Sequence, residues 1–380
     1  MQIEIIQWKP ASGWSVPLSS ITGPCDLAVY FAAGELMGSG EGPLAELRRA
    51  FPGAIAFGCS TAGEICNATV SEGTLSAALV SFKDTKVRGA CVHVSSAEDS
   101  VKAGAELGRI LSAPDLSHVI VLSDGLCING SSLTASLRAA LPRNVKATGG
   151  LAGDGARFHA TFVGYNDDIG PGRVAAIGLY GDKVQVSFGS SGGWQPFGPK
   201  RRVTGSKGNV LYSLDDQPAL ALYKRYLGDR ASGLPATGLL FPLQVLATQD
   251  SASGLVRTIL AIDEAQQSLT FAGDVPEGQF VRLMKAGCDA LVDGAGAAAG
   301  QASKRQMTGE RLALLVSCVG RRLVMGQRVE EEIEAVLSKL GGDVQAAGFY
   351  SYGEISPASF SDECELHNQT MTLTVIGEQK

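Results

Sequence analysis

The chain has 380 residues, a formal net charge of −6 and a sequence pI near 5.4. This acidic balance argues against a nucleic-acid-binding protein, in which clustered Lys and Arg residues would be expected. The longest apolar runs are too short for a membrane span, and the N-terminus lacks the pattern of a secretory signal. We therefore expect a cytoplasmic protein with no nucleic acid or membrane among its partners, and its length favours two domains.

A succession of similar elements occurs three times along the chain. Each copy has a predicted strand, a helix with apolar spacing, and a second strand that opens into a glycine-rich turn followed by a return strand. We call these turns the first, second and third signature turns: AIAFGCSTAGEI (residues 54–65), VKATGGLAGDG (145–155) and VQAAGFYSYGEI (344–355). A degenerate fourth copy is predicted to begin near Pro218. The pattern predicts an α/β fold of strand, helix, strand, loop and strand units with mixed sheets.

Glycine, proline and charged residues cluster between residues 190 and 209. Such a stretch between a predicted strand and a predicted helix is typical of a crossing between domains. We therefore predict two related domains, residues 1–200 with two repeat copies and residues 201–380 with one clear and one degenerate copy.

The signature turns are the candidate ligand site. Glu64, Asp154 and Glu354 occupy comparable places in them, and a carboxylate there could hold an ammonium group. Arg321 or Arg322, at the end of a repeat strand, could bind a carboxylate in bidentate fashion, so the pair would suit an amino acid. The alternative is structural: the acids cap neighbouring backbone N–H groups and the glycines only permit tight turns.

Cysteine spacing argues against several other kinds of site. The eight cysteines occur singly, without a Cys-x-x-Cys pair or a Cys-x-x-Cys-His haem attachment. We therefore expect neither a disulfide framework nor a structural metal site, and any haem would be held without covalent attachment.

Several motifs in order along the chain resemble the FIST family: GCSTAGEI, GGLAGDG, CVGRR (from Cys318), GFYSYGEISP and LHNQTMTLTV (from Leu366). The PFGP, NVLYSLDDQPALALYKRYLG and VPEG segments are similar to its C-terminal domain. The resemblance implies paired FIST N and FIST C domains, a sensory module that binds small ligands such as amino acids in signal transduction. It also implies a protein that is not an enzyme and whose output passes through another protein. Some bacterial members of the family are nitric-oxide-sensing haem proteins that act on a partner histidine kinase.

Haem b would need an axial donor, and the chain has only four histidines. We favour His367, because it lies in the family-like LHNQT segment beside Asn368, which could orient its ring. Cys59, Cys318 and Tyr352 are weaker donor candidates.

The predicted ligand-binding set comes mainly from the first and third signature turns. It comprises Cys59, Ser60, Thr61, Glu64, Asp154, Arg321, Tyr352, Gly353, Glu354 and Asn368, with His367 as the candidate haem ligand. Two other functions stay open: an enzyme with Cys59 as nucleophile, His367 as base and Glu354 as orienting group, and a scaffold that binds a kinase through its surface.

Overall fold

Three four-stranded units with the same strand order carry the repeats. A computed structural model describes residues 1–37, 41–305, 307–358 and 363–379. In each unit the strand that leads into the signature turn lies at one side, followed by its parallel neighbour and then by two antiparallel strands. The predicted α/β fold with mixed sheets is confirmed.

Unit 1 occupies the N-terminal part of the chain. Its elements are β1 (Gln2–Lys9), β2 (Gly13–Trp14), β3 (Leu27–Ala32), α1 (Gly34–Met37), α2 (Pro43–Ala50), β4 (Ile55–Ser60), β5 (Glu64–Cys66), β6 (Thr69–Ser71) and β7 (Leu75–Ser81). β4 pairs in parallel with β3, and β7 pairs antiparallel with both β3 and β1. Every residue of β3 is buried, as expected for a strand covered on both faces.

Unit 2 repeats this arrangement. Its elements are β8 (Lys86–His93), α3 (Ser100–Leu111), β9 (Leu116–Ser123), α4 (Gly130–Ala140), β10 (Lys146–Leu151), β11 (Val163–Tyr165), β12 (Asp168–Gly170) and β13 (Arg173–Tyr180). β10 pairs in parallel with β9, and β13 pairs antiparallel with β9 and β8. The helices α3 and α4 pack against each other.

An antiparallel segment separates the outer strand of unit 3, β14 (Val184–Ser191), from the rest of that unit. The segment, residues 195–285, contains β15 (Gln195–Pro196), β16 (Arg201–Lys207), β17 (Val210–Leu214), β18 (Gln217–Pro218), α5 (Ala219–Leu227), β19 (Leu243–Leu246), β20 (Leu255–Arg257), β21 (Ile259–Asp263), β22 (Ser268–Phe271) and β23 (Phe280–Lys285). Its strand pairs are all antiparallel. The segment has the predicted helix after Pro218, but it lacks the parallel strand pair of the other copies.

Unit 3 is completed after this segment. Its elements are α6 (Cys288–Ala302), β24 (Arg311–Cys318), α7 (Val319–Met325), α8 (Val329–Leu340), β25 (Val344–Ser351), β26 (Gly353–Pro357), β27 (Cys364–His367) and β28 (Met371–Glu378). β25 pairs in parallel with β24, and β28 pairs antiparallel with β24 and β14. In the described part of the chain, no helix combines the length and apolar content needed to cross a bilayer.

The units exchange the strands that follow their signature turns. β5 of unit 1 pairs with β25 of unit 3, β26 of unit 3 pairs with β10 of unit 2, and β11 of unit 2 pairs with β4 of unit 1. Each unit therefore adds a hairpin to the sheet of another unit, and the three additions close a cycle. Two of the three sheets contain strands from both sides of residue 200.

A glycine in each signature strand permits close contact with the parallel neighbour. A Cβ atom at these positions would lie about 2 Å from a main-chain oxygen, which is far inside van der Waals contact. The pairs are Gly58 with Tyr30 (2.1 Å), Gly149 with Val121 (1.8 Å) and Gly348 with Leu315 (2.0 Å). The recurring glycine is thus required by strand packing within each unit.

Candidate functional site

The three signature turns meet and are joined by a ring of main-chain hydrogen bonds. At equivalent positions, the N–H group of one turn donates to a carbonyl of another. The bonds run from Ala62 N to Tyr350 O (2.8 Å), from Gly153 N to Ser60 O (3.0 Å) and from Tyr352 N to Leu151 O (3.1 Å). The strand exchange and this ring place most of the predicted site residues in one region.

Glu354, in the third signature turn, is fully buried. Its Oε1 accepts a hydrogen bond from Ser351 Oγ (2.7 Å), and its Oε2 accepts from Thr370 N (3.0 Å) and Thr370 Oγ1 (2.8 Å). Burial raises the pKa of this carboxyl to about 7 despite those hydrogen bonds. Glu354 therefore changes its charge close to neutral pH.

Glu64 occupies the equivalent place in the first signature turn. Its Oε1 accepts from Thr61 Oγ1, and its Oε2 accepts from Thr74 N (3.0 Å) and Thr74 Oγ1 (2.8 Å). Burial again raises the pKa of the carboxyl. The hydroxyl, acid and threonine arrangement is thus built twice, and in both copies the acid caps the threonine N–H that precedes a return strand, as the structural alternative expects.

Asp154 and Tyr352 connect the second and third signature turns. The Tyr352 hydroxyl donates to Asp154 Oδ1, and the Tyr352 ring stacks on Phe158 with ring centroids 4.4 Å apart. Burial raises the pKa of Asp154, but hydrogen bonds from Tyr352 and from the backbone N–H groups of residues 158–160 outweigh it and hold the pKa below its usual value. Asp154 is therefore an ionised carboxylate that fixes its own loop.

Arg321 lies in a buried ion pair with Glu332 of α8. Both side chains are fully buried, and Arg321 Nη2 lies 2.6 Å from Glu332 Oε2. Arg321 also donates to the carbonyl oxygens of Gly192 and Leu291. These contacts surround its guanidinium on several sides. The sequence pattern predicted instead that Arg321 or Arg322 binds the carboxylate of a ligand.

Arg322 is the more accessible of the two arginines, with a fifth of its side chain exposed. Its Nη1 donates to Ala62 O (2.7 Å) in the first signature turn, and its Nη2 contacts Glu72. Its buried Nε has no hydrogen-bond partner within the described ranges. Arg322 therefore ties α7 to the first turn and keeps one donor available.

His367 stands directly opposite Glu354 in the pairing of β26 with β27. The residue is 7% exposed, and its Nε2 lies 3.0 Å from Ser356 O. Burial lowers the pKa of His367 to about 4, so the ring is neutral at physiological pH. Because Ser356 O takes Nε2 inside a closed hairpin, this nitrogen does not fit the role of a haem axial ligand in this conformation.

Asn368 is the most unusual polar residue of the region. It is fully buried, and neither Oδ1 nor Nδ2 of its carboxamide has a hydrogen-bond partner among the residues that the structure describes. Its Nδ2 faces Gly353, where an added Cβ would lie 3.4 Å away. A buried carboxamide without partners costs several kcal/mol relative to water, of order 2 or more. Asn368 therefore offers two N–H donors and one acceptor oxygen that no described residue uses.

Other unsatisfied polar atoms accompany Asn368 along the chain or in its sheet. Gln369 Oε1 and Ser356 Oγ are buried and lack partners in the described part of the protein. Gln369 also has a left-handed backbone with φ 63°, which is rare for a residue with a side chain. Its Nε2 donates to Leu239 O (2.9 Å), so it also contacts the antiparallel segment.

Cys59 lies in the apolar core beside Ser60. Its thiol is fully buried, and burial raises its pKa well above the ordinary value. Ser60 Oγ donates to Gly153 O (2.8 Å) and accepts from Phe162 N (2.9 Å), so it joins the first and second turns. Neither environment is that of an activated nucleophile.

Of the other histidines, His118 borders a cavity of about 540 Å³. The cavity lies at the end of β9 and β10 opposite the signature turns, and its lining mixes apolar residues with charged ones, which include Asp115, Asp182, Lys146 and Arg305. His118 Nε2 lies 2.8 Å from Thr148 Oγ1, and burial lowers the pKa of the ring to about 3. His118 is thus neutral and buried, and Thr148 engages its Nε2 much as Ser356 O engages that of His367, but unlike His367 it borders a cavity.

Four residues of this region were not predicted from the sequence: Thr74, Thr370, Glu332 and Gln369. The two threonines had a signal, because each immediately precedes the return strand of a repeat, in GTLSAAL and QTMTLTV. Aligning the return strands as well as the turns would have found both. Glu332 had none, since it lies in an acidic helix face that resembles a solvated one.

The exchanged repeats and joined turns define an α/β protein of three interlocked units with a buried polar centre. Models of the FIST N domain and the FIST C domain match residues 26–217 and 219–357. The chain belongs to the FIST family, whose domains are small-ligand sensory domains in signal transduction.

Comparison with individual proteins adds little about activity. An uncharacterized protein of Methanocaldococcus jannaschii is 24% identical over 255 residues, covering 60% of this chain and 48% of the relative. The match thus spans about half the length of that relative. Cyanuric acid hydrolase from A. caulinodans aligns with 78% of this chain and 100% of its own, at 12% identity and a TM-score of 0.21.

Proposed function

We propose that this protein is a non-catalytic cytoplasmic sensor that binds a small polar ligand of the free amino-acid class beside the third signature turn. The observation that carries the proposal is the fully buried carboxamide of Asn368, which lacks partners among the described residues. A ligand with both a donor and an acceptor would satisfy it, because a carboxamide offers two N–H donors and an acceptor oxygen.

The charges around Asn368 favour a zwitterion. Asn368 Nδ2 can donate to a carboxylate and its Oδ1 can accept from an ammonium group. Glu354, one residue from Gly353 in β26, would attract the ammonium group once it is ionised. An anionic group for the ammonium and an N–H donor for the carboxylate are the two partners that amino-acid recognition requires.

Entry of a ligand would involve the antiparallel segment, which covers this region. Arg257 of that segment donates to Leu366 O (2.8 Å), and Gln369 donates to Leu239 O (2.9 Å). Because these few polar contacts connect the segment to the β27 region, a ligand that inserts here would shift the position of the segment. A conformational equilibrium biased in this way is a signal that a histidine kinase or another partner protein can read.

Titration calorimetry with the individual standard amino acids tests the proposal. We expect one binding site for a subset of them, weakened roughly 10- to 100-fold by Asn368→Ala, the range for a hydrogen bond to a charged group. Asn209→Ala is the matched control, since Asn209 donates to Phe271 O within the antiparallel segment and does not adjoin the signature turns. Absence of heat with every amino acid would rule out this ligand class.

Haem b with nitric oxide as the signal is the rival ligand, and the cavity beside His118 is the feature that supports it. His118 borders about 540 Å³ of space, which is in the size range of cofactor sites, and its Nε2 would have to leave Thr148 Oγ1 to reach a haem iron. Haem titration followed by absorbance distinguishes the two ligands. A Soret band lost in His118→Ala would favour haem, and a colourless protein would leave the amino-acid ligand.

The enzyme alternative has no comparable support. Burial keeps the Cys59 thiol protonated, and His367 is held by Ser356 O. We therefore expect no reaction of Cys59 with iodoacetamide at neutral pH in the folded protein. Rapid alkylation at Cys59, located by mass spectrometry, would support the alternative that the protein is a cysteine-dependent enzyme.

A further inference from the structure

A second group of chemistry-bearing residues lies away from the signature turns, where β8 meets β12. Cys91 and His93 project from the same side of β8, because they are two residues apart in a strand. Asp168 begins β12, in the hairpin that unit 2 adds to the sheet of unit 1. One thiol, one imidazole nitrogen and one carboxylate oxygen all lie within 4.8 Å of one another.

We propose that Cys91, His93 and Asp168 form a zinc site that fastens the β11–β12 hairpin to β8. Thiolate, imidazole and carboxylate are the donor types that Zn²⁺ takes in proteins, and three protein ligands leave a fourth tetrahedral position for water. The site revises the expectation drawn from cysteine spacing, since its three ligands come from two strands and include a single cysteine, so no Cys-x-x-Cys pattern marks it.

The contacts around Asp168 are suited to this role. Its Oδ2 lies 2.7 Å from His93 Nε2, and its Oδ1 accepts from Arg173 Nε at 2.6 Å. Arg173 therefore holds one carboxylate oxygen and leaves the other directed at the histidine, an arrangement typical of a metal-ligating carboxylate supported by a neighbour. The Tyr165 hydroxyl donates to Gly89 O (3.0 Å), so the hairpin is already anchored to β8 beside the site.

Metal entry requires a small adjustment and the loss of a proton. Two ligand atoms about 2.0–2.1 Å from tetrahedral zinc are roughly 3.3 Å apart, so the His93 to Asp168 contact must widen by roughly 0.6 Å. Asp168 is on a partly exposed hairpin and His93 is mostly exposed, so both can move. The Cys91 thiol gives up its proton to solvent as the sulfur to zinc bond forms. The Cys91 thiolate and the Asp168 carboxylate then balance the 2+ charge of the ion.

Cobalt substitution tests the site in the full-length protein. We expect one Co²⁺ per chain, with a thiolate-to-cobalt charge-transfer band that Zn²⁺ abolishes by displacement. Cys91→Ser should remove the band, and His93→Ala and Asp168→Asn should each weaken Zn²⁺ binding roughly 100-fold or more in competition with a chelator.

Cys127→Ser is the matched control. Cys127 also lies beside an aspartate, Asp124, but it is not part of the described cluster of possible metal ligands. It should leave cobalt and zinc binding unchanged. Circular dichroism checks that each variant is folded. If the β8 variants Cys91→Ser and His93→Ala are unstable, Zn²⁺ binding by Asp168→Asn, on the hairpin, still tests the site. A band retained in Cys91→Ser, or no band in the unmodified protein, would overturn the proposal.

Discussion

At the residue scale, two buried charged groups beside the third signature turn respond to burial in different ways. Glu354 is surrounded by hydroxyl and backbone donors, yet its pKa rises to about 7 because burial outweighs them. Arg321 instead forms an ion pair with a buried carboxylate, Glu332. Substitution of either residue should therefore change the free energy of unfolding.

Glu354 should make stability depend on pH. A folded-state pKa raised from 4.5 to about 7 contributes stability that is complete below pH 4.5 and lost as the pH rises through 7. The loss amounts to about 3 kcal/mol at about 1.4 kcal/mol per pKa unit. In urea unfolding, Glu354→Gln should flatten the decline between pH 4.5 and 7.5, whatever its effect on the absolute free energy. Glu334→Gln, at an exposed position on α8, should keep the decline, and an unchanged slope in Glu354→Gln would contradict this assignment.

Removing Arg321 should be strongly destabilising. Among the described residues, Arg321→Met leaves the buried Glu332 with the Ser317 and Tyr350 hydroxyls as its side-chain donors, and breaking a buried pair from one side costs about 3–5 kcal/mol. The urea midpoint measures this loss. Arg328→Ala, which removes exposed pairs with Glu331 and Asp289, should leave the midpoint nearly unchanged. A midpoint for Arg321→Met equal to that of the unmodified protein would mean that the pair is not formed in solution.

At the element scale, the signature strand is defined by its contact with the strand beside it. The glycine recurs because the carbonyl of the parallel neighbour occupies the space of a side chain. The turn that follows then crosses to another unit. There, one of its N–H groups, that of Ala62, Gly153 or Tyr352, donates to a carbonyl in the ring of hydrogen bonds. Each signature sequence thus determines both the packing of its strand and the geometry of the turn that follows.

A methyl group at the signature glycine should not be tolerated. In Gly348→Ala, the new Cβ would lie 2.0 Å from Leu315 O, so β24 and β25 must separate and the free energy of unfolding should fall by about 3 kcal/mol. Thermal unfolding measures the change. Gly296→Ala is the control, since no atom lies within 4 Å of the new Cβ and alanine favours the helix by roughly 0.5–1 kcal/mol. Equal melting temperatures for the two variants would show that β25 does not lie as close to β24 as described.

At the scale of the whole molecule, the three units depend on each other for their sheets. β10 requires β26 at one edge, β25 requires β5, and β14 pairs with β28, although these strands lie far apart in the sequence. The buried acids and the ring of main-chain bonds therefore form only when all three units are present. The antiparallel segment has its own apolar cluster, which includes Val203, Leu220 and Phe271.

Residues 1–200 alone should not fold into a stable protein. The fragment would leave β10, β14 and β5 with unpaired edges and exposed apolar surface, a combination that favours aggregation. We expect a sharp, cooperative thermal transition for the full chain and none for this fragment. Co-expression with residues 201–380 should restore a soluble, folded complex. A fragment that melts cooperatively on its own would show that the exchanged strands are dispensable.

Sequence alone determined the local units and their type. The three turns, their strands and the helices between them follow from apolar periodicity and from glycine, and these signals need no knowledge of distant contacts. The termination of α5 at Gly228 and of α8 at Gly341 was equally local, and both glycines have positive φ. Family membership also followed from the order of short motifs.

Tertiary structure decided which partners each residue has. Arg321 and Arg322 are adjacent in the sequence, but one lies in a buried ion pair and the other reaches the first signature turn. Asn368 was predicted to orient His367, whereas its carboxamide is buried without described partners. Strand exchange and burial bring together residues that are far apart in the sequence, such as Gln345 and Ile3, 342 positions apart, and no local pattern encodes such pairing because it depends on how the three units close on one another.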